Sequence, residues 1–125
     1  MEQFADLTYE IIGAAMEVHR TIGPGLPEKV YEVAMLYELE LRDVQVATQH
    51  HVSVSYKGRL AGEFFLDLVV DDKVIVELKA LHELLPVHRS QLITYLKASY
   101  YKIGLLINFG QPSLAFERIY PPTHE

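Results

Sequence analysis

The chain predicts an α/β (α+β) fold with a mixed central β-sheet flanked by helices, in the order ααβββαββ, on three observations. Two helical stretches with apolar residues at helical spacing come first, divided by Gly23-Pro24-Gly25. Three strand-like runs separated by short polar turns fill the middle of the chain. A further helical stretch is then followed by two short apolar strands, a mixture that packs helices against a single sheet.

Taken in order, Leu7, Ile11, Ile12, Ala14, Ala15, Val18 and Ile22 place a helix over about 6–21. The Gly-Pro-Gly break ends it. A second helix runs from Pro27, which suits a first turn, to Leu41, with Val30, Tyr31, Ala34, Met35, Tyr37 and Leu41 on its apolar side. Val44–Tyr56 alternates best over His51-Val52-Ser53-Val54-Ser55-Tyr56, a strand with one wetter face, and Lys57-Gly58-Arg59 turns the chain. Phe64–Val70 and Val74–Lys79 form a hairpin around Asp71-Asp72-Lys73. His82–Pro86 connects to a helix over Val87–Ser99, with Leu92, Ile93, Leu96 and Tyr95 inward. Ile103–Phe109 and Leu114–Ile119 complete the sheet. No repeat, linker or low-complexity segment interrupts the 125 residues, so one domain is expected.

Composition narrows the function. Half the residues are hydrophobic, enough for a core and against disorder. The absence of cysteine excludes disulfides, thiolate metal sites and Cys nucleophiles. The opening Met1-Glu-Gln-Phe-Ala-Asp6 has no basic or apolar leader, and no apolar run reaches the about 20 residues of a membrane span, so no membrane partner and a cytoplasmic location are expected. The net charge of −6 argues against broad non-specific binding to nucleic acid, yet nine of the 17 acids lie in residues 1–43. No acid occurs between Glu83 and Glu117, where Arg89, Lys97 and Lys102 form a basic strip that is either a lightly charged helix face or a contact for a phosphate backbone.

The chemistry concentrates in the hairpin. With a three-residue turn at 71–73, Asp67 falls opposite Glu77, and alternation puts Lys79 on the face of Glu77. Phe65, Val69 and Ile75 make up the rest of that face, where three charges are costly unless paired or metal-bound. Two carboxylates, the Leu78 carbonyl and an amine are the parts of a Mg²⁺ or Mn²⁺ site in which a phosphodiester is attacked by an activated water. Lys79 would orient that water or neutralise charge in the transition state. Gln91 and Tyr95 lie one helical turn apart on a common face. His19, at the end of the first helix, is a further metal candidate, although the helix dipole alone accounts for a His there. His88 is either a phosphate contact or a cap. His50 and His51 are adjacent on a strand and point to opposite faces, so they do not chelate together.

The stretches Tyr9–Arg20, Gly23-Pro-Gly-Leu-Pro-Glu-Lys-Val-Tyr31, Leu66-Asp-Leu-Val-Val70, Val74-Ile-Val-Glu-Leu-Lys-Ala80, Pro86-Val-His88, Gln91-Leu-Ile-Thr-Tyr-Leu96 and Gly104–Phe109 resemble the PD-(D/E)XK nuclease superfamily. Within it they are most similar to the small bacterial proteins called GxxExxY proteins. The resemblance runs from about Leu7 to Tyr120 and implies a restriction-endonuclease-like core. It further implies that Glu28, Asp67 and Glu77 are metal ligands and that Lys79 is the catalytic lysine. Gln91 and Tyr95 match a helix motif of the exonuclease-like branch and would help shape the site. Two departures are Pro27, before the motif Glu, and Leu66, where the superfamily carries Pro.

The expected function is therefore metal-dependent hydrolysis of DNA, with RNA second, using Mg²⁺ or Mn²⁺. Glu28, Asp67 and Glu77 would hold the metal, Lys79, Gln91 and Tyr95 would serve catalysis, and Arg89, Lys97 and His88 would meet the backbone. Apolar helix faces leave room for a homodimer, since cutting both strands needs two sites. The alternative is a non-catalytic module that keeps the fold and meets a protein partner through its acidic N-terminal helices.

Overall fold

In the computed structural model, which describes residues 4–122, the chain runs α1 (Ala5–Ile22), α2 (Glu28–Leu41), β1 (Val46–Tyr56), β2 (Arg59–Val70), β3 (Val74–Lys79), α3 (Pro86–Ala98), β4 (Ile103–Asn108) and β5 (Ala115–Ile119). The expected order holds throughout. Gly23 ends α1 with φ of 71° while its N–H donates to the His19 carbonyl at 2.8 Å, a left-handed stop that favours glycine. Pro27 stands just before α2 as its cap residue. Among the described residues no helix is long and apolar enough to cross a membrane.

The strands form one mixed sheet in the order β1-β2-β3-β4-β5. Only β3 and β4 are parallel, and α3 is the crossover that joins them. On one face α1 and α2 bury Ile11, Val18, Tyr31, Met35 and Leu39 with Leu68, Val76, Leu78, Leu105 and Ile107. On the other, α3 buries Leu92 and Leu96 with Leu66, Val69, Ile75 and Leu106. Covered on both faces, β4 is buried at every position, and β3 at every position but Lys79. Each end of that central pair opens onto loops, and the C-terminal end of β3 carries the candidate residues Glu77 and Lys79.

Three details of the sequence reading need correction. The buried side of α2 is Tyr31, Met35 and Leu39; Val30, Tyr37 and Leu41 are exposed, as is Ile22 of α1. The stripe was legible as apolar, but α2 is apolar on two sides and only one meets the sheet. Phe65 is 53% exposed and belongs to neither core, and Leu66 takes its place beside Val69 and Ile75. The reason is a break in strand alternation: Gln49 of β1 has φ of 48°, and neither it nor Asp67, which falls opposite it, is a ladder partner. The third concerns β2, which starts at Arg59 rather than Phe64. It stays paired with β1 out to Tyr56–Arg59, so the two strands form an arm beyond the sheet.

Candidate functional site

The β2–β3 ladder pairs Val70 with Val74, Val69 with Ile75 and Leu68 with Val76. Asp67 and Glu77 are the next position in that register, and there the strands part. The two side chains take over the ladder: the Asp67 N–H donates to Glu77 Oε1 at 3.3 Å, and the Leu78 N–H donates to Asp67 Oδ2 at 2.9 Å. β3 continues alone with β4 as far as Lys79 beside Asn108, while β2 leaves with β1. The site therefore lies in a fork between strands, which leaves Asp67 Oδ1 and Glu77 Oε2 without a protein donor among the described residues.

Electrostatics tie the other groups to this point. Glu77 is 6% exposed, and burial followed by the charge of Asp67 pushes its carboxyl up to about 8, against the Asp67 N–H and Lys79, which pull it down. Burial also raises Asp67, partly offset by the Leu78 N–H, with the charge of Glu32 adding and that of Lys79 subtracting. Glu28, at the first turn of α2, is raised by desolvation and then by Asp67, and lowered by Lys79. Tyr95 is raised by burial and then by the charges of Glu77 and Asp67, while a hydrogen bond with Gln91 pulls the other way. Glu28, Asp67, Glu77, Lys79, Gln91 and Tyr95 thus gather from α2, β2, β3 and α3 around one fork.

The remaining candidates lie elsewhere. His19 is 9% exposed, and its Nε2 donates to the Gln111 carbonyl at 2.8 Å, tying α1 to the β4–β5 turn. His88 Nδ1 accepts the Leu85 N–H at 2.9 Å and so caps α3. Arg89 pairs with Glu117 of β5 at 2.5 Å. Lys97 stands at the C-terminal end of α3, near the start of β4 and away from the fork.

Two supporting residues, Glu32 and Asn108, went unseen in the sequence, and a third, Tyr31, was read there as a core aromatic of α2. Glu32, one turn after Glu28, is 7% exposed, and its carboxylate accepts from Gln49 Nε2 at 3.3 Å. A helical projection centred on Tyr31, Met35 and Leu39 would have found it, because Glu28 and Glu32 then share one margin of the buried face. Asn108 is fully buried: its Oδ1 accepts the Leu81 N–H and its Nδ2 donates to the Leu81 carbonyl, both at 2.9 Å, so it clamps the loop that follows Lys79. Tyr31 stacks on Phe109 at 4.5 Å, and its hydroxyl donates to the Gly23 carbonyl at 2.6 Å and accepts the Leu26 N–H at 3.2 Å. It holds the loop from which Glu28 starts. Tyr31→Phe should keep the fold, lose about 1–2 kcal/mol in a chemical melt, and weaken any Mn²⁺ affinity that depends on Glu28. A variant that melts and binds like wild type would show the loop to be held by other contacts.

As placed, no three or more His, Asp or Glu side chains among the described residues stand together as a metal cage. The donor set still suits a hard divalent cation: Asp67 and Glu77 meet at the fork, Glu28 lies within reach of the Asp67 charge, and Lys79 offsets all three, with Lys29 also acting on Asp67. Glu28 is exposed, at the first turn of α2.

The family model of the PD-(D/E)XK nuclease superfamily matches residues 5–119, and the chain belongs to that superfamily, whose nucleases typically use divalent metals. The crystal structure of SSO0001 resembles this chain with a TM-score of 0.62 at 17% sequence identity, over 77% of this chain and 50% of that one. The chain thus spans half the length of that protein and shares its fold, a mixed five-stranded sheet flanked by helices of the restriction-endonuclease-like kind. No curated protein matches the chain significantly.

Proposed function

We propose that residues 7–120 are one nuclease domain of the GxxExxY kind that hydrolyses phosphodiester bonds in DNA with Mg²⁺ or Mn²⁺. The observation that carries this reading is the fork, where Asp67 and Glu77 replace ladder hydrogen bonds with their own carboxylates and keep one oxygen each for another partner. Asp67, Glu77 and Glu28 would hold the cation, which when bound supplies positive charge to the phosphate and a more acidic water.

The chain's own residues do the rest. Hydrolysis breaks one P–O bond and adds water across it, so the protein has to align water and phosphate and balance charge. Lys79, the only ammonium among the described residues acting on all three carboxylates, neutralises charge where the phosphate enters and orients the water. Tyr95, kept protonated by burial and by the two carboxylates, offers an O–H donor, and Gln91 orients it. The backbone donors at Asp67 and Leu78 hold the two carboxylates in place.

Calorimetry with Mn²⁺ on wild type and Asp67→Ala, followed by incubation with single- and double-stranded DNA, tests this. The wild type should bind Mn²⁺ and cleave, and the variant should lose both, with cleavage down by about a thousandfold or more. Metal binding that is equally negligible in both proteins would overturn the catalytic reading. A second reading, a non-catalytic assembly module, is favoured by the exposed stripe Val30, Val33, Tyr37 and Leu41 on α2, a surface that a protein partner or a second copy would cover.

A further inference from the structure

The β1–β2 arm, like the stretch 84–116, is poor in acids. Between Val46 and Leu66 the only acid is Glu63, which is paired with His51, in a protein of net charge −6. Lys57 and Arg59 sit at the tip, and neither has an acidic partner among the described residues, as is also true of Lys79, Lys97, Lys102 and Arg118, whereas Arg20, Lys29, Arg42, Lys73 and Arg89 are paired.

The arm's position follows from strand direction. β2 runs from the tip toward the 71–73 turn, and β3 returns to end at Lys79, so the tip extends past the fork on the side where Lys79 and the start of α2 lie. From Ser53 to Tyr56 the arm projects about 13 Å beyond its buried base at Val52. That base is fixed: Val52 and Leu66 enter the α3-side core, and Phe64 stacks on Tyr95 at 4.5 Å and 15°. The arm thus leaves the sheet from a packed base beside Tyr95 of the candidate site.

We propose that this arm is the site's contact with duplex DNA, a two-stranded ribbon entering a groove with Lys57 and Arg59 on phosphates. This rests on the nuclease reading and deepens it. A major groove about 12 Å wide admits a two-stranded ribbon. A groove contact is preferred to stacking of single-stranded bases, because Phe64 is already stacked on Tyr95 and Lys57 lies 5.3 Å over one face of Tyr56. Tyr56 and Leu60, 64% and 62% exposed, then supply apolar contact to sugars and base edges.

The test is fluorescence anisotropy of a labelled short DNA duplex in EDTA, across a salt series, with Mn²⁺ calorimetry run on the same proteins. Lys57→Glu/Arg59→Glu should weaken binding at least tenfold at low salt and lower the slope of log K against log salt by about 1.8, two phosphate contacts at about 0.9 each. Its Mn²⁺ binding should match wild type, which separates failure of the arm from failure of the metal site. Unchanged affinity and slope in the variant, absence of duplex binding by wild type, or equal losses for a single strand would overturn the proposal. So would a loss that follows Lys97→Glu/Lys102→Glu instead, since that pair marks the opposite end of the sheet.

Discussion

In chelator, Glu77→Gln should be more stable than wild type at neutral pH, and with Mn²⁺ it should neither bind metal nor cleave DNA. Glu77 is 6% exposed, and its carboxyl stands near 8 in the folded chain against an ordinary 4.5, so the folded state favours the protonated form. That contribution is fully present below about pH 4.5 and is lost as pH rises through about 8. Each unit corresponds to about 1.4 kcal/mol, so the metal-free protein should lose a few kcal/mol across that window once solvent relaxation is allowed for. The amide keeps the shape and still accepts the Asp67 N–H, but it carries no charge to bury. Metal reverses the order: at a hundredfold excess over its dissociation constant, Mn²⁺ adds about 2.7 kcal/mol to wild type and nothing to the variant. Chemical melts from about pH 5 to about pH 9, with and without Mn²⁺, would show this crossing. A wild-type stability that is flat over the window, or a variant less stable in chelator, would contradict it.

Gly110→Ala should damage the chain more than any surface change. A Cβ at Gly110 would stand 2.6 Å from the Leu81 carbonyl carbon and nearer still to that residue's nitrogen and oxygen, all backbone atoms with no side chain to turn aside. Leu81 cannot retreat, because its N–H and carbonyl are both clamped by Asn108, whose Oδ1 also accepts the Gly110 N–H at 3.2 Å. The clash must therefore break that buried network or push the β3–α3 loop away, at a cost of about 3 kcal/mol or more. Circular dichroism melts should show the loss in midpoint. If the fold survives, hydrogen exchange should show lost protection at Leu81, and cleavage should fall with it because Lys79 lies just upstream. A variant that melts like wild type would mean that the loop repacks freely.

The elements were readable because each has a local cause. Gly23-Pro24-Gly25 stops a helix wherever it occurs, Asp71-Asp72-Lys73 turns a hairpin, and the unbroken apolar runs of β3 and β4 suit strands covered on both sides. The register that brings Asp67 to Glu77 followed from the same local rule. Other features have no local cause. Glu32 reads as a surface carboxylate until β1 brings Gln49 against it, and Asn108 reads as a strand end until Leu81 folds back onto it. Arg89, alone on a stretch without acids, meets Glu117 only when β5 lies down beside β4.

By itself, then, the sequence determined the order of helices and strands, the hairpin register and the carboxylate–lysine set, all of which depend on neighbours within a few turns of chain. Tertiary structure alone decided that the hairpin opens into a fork at that set, which side of α2 is buried, and where the arm points. Those outcomes depend on backbone groups and faces meeting across the fold, and their energies are settled by what arrives from distant segments.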